Sequence, residues 1–300
     1  MAVKNSLTKT NGNQRLGLTA YLSREDVKNQ IGKAIGGENS QRFISAIISA
    51  TTTNQTLQEC TNQSIVSGAL LGEALKLSPS PQLAHYYLVP FNEKSGEKDE
   101  NGKDIYIKKA QFQLGYKGYI QLAIRSGQYK KLNVIAVKEG ELEYFDPLNE
   151  DIKINLNVDN WDEREAKETI GYYAFFELVN GFKKAIYWSK GQMESHALKY
   201  SAGYKKDKEK GWSYTFWSKD FDGMAYKTML RQLISKWGIM SIEMQTAFEG
   251  DMAVINEDGS KTYVEVDDNI IEAEIIEQPQ EEKTEDSVNG TDAASALFGN

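Results

Sequence analysis

The apolar positions of this chain follow a helical period at first, a strand period in the middle and a helical period again near residue 230. Val27, Ile31 and Ile35 recur at helical spacing behind Ser23-Arg24-Glu25-Asp26, an approximate capping box with Ser23 as N-cap, and Gly36-Gly37 closes the segment. Phe43, Ile44, Ile47 and Ile48 predict a second helix over residues 41–50. Ile65, Val66, Ala69, Leu70 and Leu75 predict a third over 61–77. Pro79 and Pro81 then end the helical stretch, because neither can extend helical hydrogen bonding.

Residues 84–90 and 105–114 predict two strands of a hairpin around a charged turn region. Residues 118–126 return to helical spacing, with Gly127 as the stop. Residues 132–137, 142–145, 169–178 and 183–188 predict further strands of one mostly antiparallel sheet. The last two are joined by Asn180-Gly181, a pair suited to the positive φ values of a tight hairpin turn. A helix over 189–200 opens on Ser189 and Gln192 in capping-box relation, residues 203–210 (GYKKDKEK) read as a mobile basic loop, and Asp220 caps a long helix over 221–237. A small hairpin over 253–256 and 262–266 follows, and periodicity then stops.

These elements predict an α+β fold: N-terminal helices, a mostly antiparallel β-sheet with helices packed on it, a long C-terminal helix and a disordered acidic tail. Residues 1–20 are expected to be a flexible leader, 21–266 a single domain, and 267–300 the tail, whose composition is that of disorder. No apolar run is long enough to span a membrane and the N-terminus lacks an apolar signal core, so the expectation is a cytoplasmic protein. Cys60 is the one cysteine, which excludes an internal disulfide and a Cys-rich zinc site.

The net charge of -8 argues against a nucleic-acid partner until charge is followed along the chain. Residues 103–138 hold eight Lys and Arg against the single Asp104, and residues 183–236 hold twelve against five acids. The acids gather in 139–182 and 243–300. Within the first basic block, Gln111, Gln113 and Lys117 interleave with Phe112 and Tyr116 between Gly115 and Gly118, and Arg125 follows. In the second, Trp212, Tyr214, Phe216 and Trp217 follow the basic 203–210 segment. These aromatics suit either a groove for unpaired bases or a core anchor. Lys227 and Arg231 lie four apart on one helix face.

No G-x-x-x-x-G-K-[ST] loop occurs, and His85 and His196 stand at no metal-ligand spacing, so binding is favoured over bond-breaking. Glu139, Glu141 and Glu143 alternate and with Asp146 offer the alternative of a Mg²⁺-dependent nuclease; a solvated strand face is the plainer reading. A non-catalytic structural protein with incidental basic patches is the third reading.

Three ordered segments carry a resemblance. They are Leu77-Ser78-Pro79 followed by Tyr87-Leu88-Val89-Pro90-Phe91, then Leu114-Gly115-Tyr116-Lys117-Gly118 running into Leu122-Ala123-Ile124-Arg125-Ser126-Gly127, then Trp217 with Met224, Lys227-Thr228 and Leu230-Arg231. In these the chain resembles the RecT group of phage-type single-strand annealing proteins, related more distantly to Red beta. Ser78 stands where the family usually has asparagine, and Lys236-Trp237-Gly238 replaces a common proline. The resemblance implies ATP-independent binding of single-stranded DNA and annealing of complementary strands to duplex, in homologous recombination. It implies a homo-oligomer, as ring or helical filament, with a phage-encoded exonuclease supplying the strand, a host single-strand-binding protein as a further partner, and no membrane. No cofactor is required, with Mg²⁺ modulating DNA binding. Joined to the charge pattern, it points to Lys108, Lys109, Lys117, Arg125, Lys205, Lys206, Lys227 and Arg231 on phosphates. Gln113, Tyr116 and Trp212 are then expected nearer the bases.

Overall fold

A computed structural model describes residues 16–263 apart from 53, 157 and 257. The tail expected from residue 267, most of the leader and the end of the terminal hairpin lie outside the described residues. The helices α1 (Leu18–Leu22), α2 (Glu25–Ile35), α3 (Gly37–Thr52), α4 (Gln55–Gln58) and α5 (Asn62–Ala74) come first. Val27 and Ile31 of α2 and Phe43, Ile44 and Ile47 of α3 are buried, as their spacing predicts. Arg24 rather than Ser23 is the N-cap of α2; the Ser23 hydroxyl donates back to the Thr19 carbonyl.

The chain continues through β1 (Tyr86–Lys98), β2 (Asp104–Leu114), α6 (Tyr116–Ser126), β3 (Tyr129–Lys138), β4 (Leu142–Asp146), β5 (Asp151–Ile154), α7 (Trp161–Ala166), β6 (Thr169–Leu178) and β7 (Lys183–Ser189). It ends with α8 (Lys190–Tyr200), α9 (Ala202–Lys210), α10 (Phe216–Lys219), α11 (Phe221–Trp237), α12 (Ile242–Gly250), β8 (Ala253–Ile255) and β9 (Lys261–Tyr263). The α+β class holds, and the strand pairings are antiparallel. The strands nevertheless divide into three sheets, in the orders β1-β2-β8-β9, β3-β6-β7 and β4-β5. α6 stands between β2 and β3 in the chain and packs on both α11 and β3.

Residues 203–210 are helix, not loop. The Ser201 side chain accepts from the Tyr204 N–H, Gly211 stops the helix at φ 68°, and Tyr204 and Asp207 are buried. With one large apolar residue, the segment carries no periodic stripe for a sequence to show. The capping box of Ser189 and Gln192 and the Asp220 cap are both present.

Two apolar cores result. One joins the N-terminal helices, the β1–β2 hairpin, α6 and α12; the other joins the β3-β6-β7 sheet to α8 through α11. α11 belongs to both: Leu230 and Ile234 enter the first, Ala225, Met229 and Leu233 the second. A helix buried on two sides fixes the distance between the two basic blocks, since one block leads into α6 and the other contains α11.

Candidate nucleic-acid interface

The β1–β2 register sorts the first basic block by face. Ala110, Phe112 and Leu114 point into the first core, so the alternating Lys109, Gln111 and Gln113 take the other face, opposite Phe91, Val89 and Tyr87. Lys109 reaches this face but lies 2.5 Å from Glu93. Gln113 donates to the Gln111 side chain at 2.7 Å, and Gln111 donates to the Met252 carbonyl. Lys108 is the exception to the expected grouping. The pleat turns it away from Lys109, and it is paired with Glu59.

Gly115 is the N-cap of α6. A Cβ on Gly115 would run into the Ala84 carbonyl, and one on Gly118 into the His85 carbonyl. These glycines therefore admit the chain before β1, not a nucleic-acid backbone. The result is a fixed helix start, from which Lys117 projects into solvent with no ion pair among the described residues. Tyr116 beside it meets Tyr226 of α11 edge to face at 5.6 Å.

Arg125, at the other end of α6, donates to the Leu75 carbonyl at 2.6 Å and the Lys76 carbonyl at 3.2 Å, closing the C-terminus of α5. Between Arg125 and Lys117 lies His85, whose Nδ1 accepts from the Ser78 N–H at 3.3 Å. Burial, then the charges of Arg125 and Lys117, push its pKa below 6.5, so the imidazole is neutral at pH 7. Nothing in the local pattern around His85 signalled that position.

Lys227 corrects the expectation for α11. It is buried, with Nζ 2.8 Å from Asp251 Oδ1, so it cannot reach a phosphate. Arg231, one turn on, donates to Asp251 Oδ2 at 2.7 Å and keeps 39% of its side chain exposed. The Leu114 N–H and the Tyr119 hydroxyl complete the set, each 2.9 Å from an Asp251 oxygen. Burial pushes the Asp251 carboxyl up, but the two cations and the hydrogen bonds outweigh it and hold its pKa below 3.8. Two cations on one carboxylate leave a net positive charge, and the exposed side of Arg231 is where it meets water. Asp251 sits just past the end of α12, and its sequence context gave no sign of this role.

In the second block Lys205 and Lys206 are exposed on α9 without an ion pair among the described residues. Buried Asp207 accepts from the Tyr214 and Thr215 N–H groups and the Thr215 and Ser218 hydroxyls; led by the Ser218 bond, these hold its pKa down at about 2. The loop so fixed divides the aromatics. Trp217 is core, while Trp212 is 51% and Tyr214 71% exposed. Phe216 packs against Tyr87 of β1 with ring centres 5.6 Å apart and the rings tilted by 40°.

Tyr87–Phe216, Tyr116–Tyr226 and Tyr119–Arg231 thus tie the two basic blocks together. Gln113, Tyr116 and Lys117 lie at the β2–α6 junction, Arg231 reaches it through Tyr119, and α10 packs on Tyr87 and on α9, the helix that carries Lys205 and Lys206. Lys108 and Lys227 do not join this group, and Arg125 stands at the far end of α6.

A family model, the RecT family, matches residues 41–269. The chain belongs to the RecT family. Among its relatives, the uncharacterized protein YqaK of Bacillus subtilis (strain 168) is 37% identical over 289 residues, covering 95% of this chain and 89% of YqaK. Protein RecT of Escherichia coli (strain K12) is 28% identical over 258 residues, 83% of this chain and 87% of that protein. RecT-family membership supports a role in recombination by single-strand annealing, and proteins of this family are annealing proteins rather than classical enzymes.

The carboxylates of the nuclease alternative are dispersed in this RecT-family chain. Glu141 is buried against Arg164 at 2.6 Å, Glu143 pairs with Lys153 at 2.5 Å, and Asp146 caps its own turn through Leu148 and Asn149. Among the described residues no group of three His, Cys, Asp or Glu side chains is placed to hold a metal ion. No described helix is long and apolar enough to cross a membrane.

Proposed function

We propose that the surface between the β1–β2 hairpin, the start of α6 and α9 to α11 binds single-stranded DNA without sequence preference and presents it for pairing with a complementary strand. The observation that carries this reading is the meeting of the two basic blocks at the Tyr116–Tyr226 and Tyr87–Phe216 contacts, with Lys117, Arg231, Lys205 and Lys206 around them. Cations on phosphates give affinity for any sequence, and exposed rings such as Trp212 stack on any base. Lys227 acts in this reading by holding Asp251, and through it Arg231, in place.

Pairing needs no nucleotide hydrolysis, because the duplex formed is itself the stable product. The protein works as a homo-oligomer, ring or helical filament, in the cytoplasm of a bacterial host. A phage-encoded exonuclease supplies the single strand, a host single-strand-binding protein is a further partner, and Mg²⁺ modulates DNA binding by screening phosphates. The test is annealing of two complementary labelled oligonucleotides without ATP. The wild type should accelerate pairing, and Lys117→Ala with Arg231→Ala should slow it; equal rates with and without protein would overturn the reading.

A further inference from the structure

The β3-β6-β7 sheet is oppositely charged at its two ends. Where β3 begins and β6 turns into β7, buried Glu177 is shared by Lys130 at 2.8 Å and by Lys131 and Lys183 at 3.7 Å. The three lysines keep 60–65% of their side chains in water, so this end stays positive. α11 ends beside it: Lys184 lies 3.7 Å over the ring of Trp237, and Lys236 is exposed. Trp237 and Phe182 are both nearly half exposed there.

At the opposite end, where β3 runs into β4 and α7 precedes β6, the buried cations are used internally and the exposed Lys190 is paired with Glu168. Arg164 is buried between Glu141 and Glu165, and buried Lys138 also faces Glu165. Glu139, Asp159, Asp162 and Glu163 are exposed with no ion pair among the described residues. In their midst stand Trp161, 54% exposed, and Val158, 64% exposed. Each end is therefore an apolar centre within a charged rim, and the signs are opposite.

β3 has ten residues, so the two ends lie about 30 Å apart at the usual rise of ~3.3 Å per residue. They cannot meet within one copy. They match between copies, head to tail, the kind of contact that builds rings or open filaments.

We propose that the acidic α7 end of one copy docks on the basic β6–β7 turn of the next, with Trp161 as the apolar anchor. The proposal rests on the oligomeric reading above and leaves the DNA surface free, since none of these residues belongs to it. Exposed aromatic centres inside charged rims are the usual composition of such contacts.

The test is sedimentation velocity on two charge reversals, Lys131→Glu with Lys236→Glu, and Asp159→Lys with Asp162→Lys. Each reversal alone places like charges in the contact and should raise the concentration needed for assembly about tenfold or more. An equimolar mixture should restore assembly, because each variant then finds its opposite. Assembly by either variant at the wild-type concentration, no rescue on mixing, or a wild type that stays monomeric with and without oligonucleotide would overturn the proposal. If circular dichroism shows a reversal to be unfolded, the neutral pairs Lys131→Gln with Lys236→Gln and Asp159→Asn with Asp162→Asn replace it. Each should weaken assembly, and unchanged assembly would overturn the proposal equally. Annealing is measured separately on the same samples: rescued assembly without annealing would leave the contact standing and remove the annealing function.

Discussion

Arg231 and Tyr119 lie 3.2 Å apart, Nη1 to hydroxyl, and both are held to the same Asp251 oxygen. This contact ties α11 to α6, and so couples the geometry of the second basic block to that of the first. Because Asp251 is fully buried and Lys227 nearly so, water screens this ion network only at its Arg231 end.

Asp251→Asn should therefore destabilise the fold, by about 3–5 kcal/mol, the usual cost of leaving buried cations unpaired. Urea unfolding measures it. A loss below ~1 kcal/mol would show that Lys227 and Arg231 find other partners. The network also sets an acid limit. With a folded pKa below 3.8, the Asp251 contribution is complete above that pH and is lost as pH falls through the folded value. The Asn variant should show a shallower acid dependence than the wild type.

His196 gives a second pH-dependent signal. It lies between Trp188 and Tyr200, and burial followed by the charge of Lys199 pushes its pKa down to about 4. An unfolded histidine takes up its proton near 6.5, so stability should fall as pH drops from 6.5 toward 4. NMR titration of the ring protons should give a midpoint near 4 for His196 and one below 6.5 for His85. A His196 midpoint at 6.5 would contradict the packing.

Gly118→Ala tests the start of α6. The added methyl meets the His85 carbonyl, a backbone atom that cannot swing aside, so the variant should lose about 1–3 kcal/mol or more in thermal unfolding. A variant as stable as the wild type would show that glycine is not needed there.

Trp212→Ala removes half-exposed aromatic surface, an edge-to-face contact with the exposed Tyr214 and, among the described residues, no side-chain hydrogen bond. It should leave stability unchanged and weaken oligonucleotide binding by about 1–3 kcal/mol, the scale of one base stacked on a ring. Unaltered affinity would place the bases elsewhere.

Much of this surface was legible in the sequence, and the exceptions have physical causes. The α11 span and the β1–β2 hairpin follow from period and turn chemistry, which are local; the β6–β7 hairpin is also present, but only Gly181 takes a positive φ, at 88°, and the chain closes through Leu178 and Phe182 rather than through a two-residue turn with both values positive. The two basic blocks were visible as charge. That Lys108 and Lys109 face opposite ways follows from the pleat once the register is known, and the register is a tertiary fact. Lys227 and Arg231 share a helix face, but their partner Asp251 comes from another element, so burial of one and exposure of the other could not be read from spacing. α9 went unread because its stability comes from the Ser201 cap, the Gly211 stop and the Asp207 hydrogen bonds rather than from an apolar stripe.

The central claim is that one strand of DNA touches both basic blocks. Its most direct test is the salt dependence of oligonucleotide affinity for the wild type, Lys117→Ala, and Lys205→Ala with Lys206→Ala. Each phosphate contact removed should reduce the slope of log affinity against log salt by about 0.7, so the first variant should lose ~0.7 and the second ~1.4. A wild-type slope in either variant would show that the block it represents does not contact the strand, and the shared surface would be refuted.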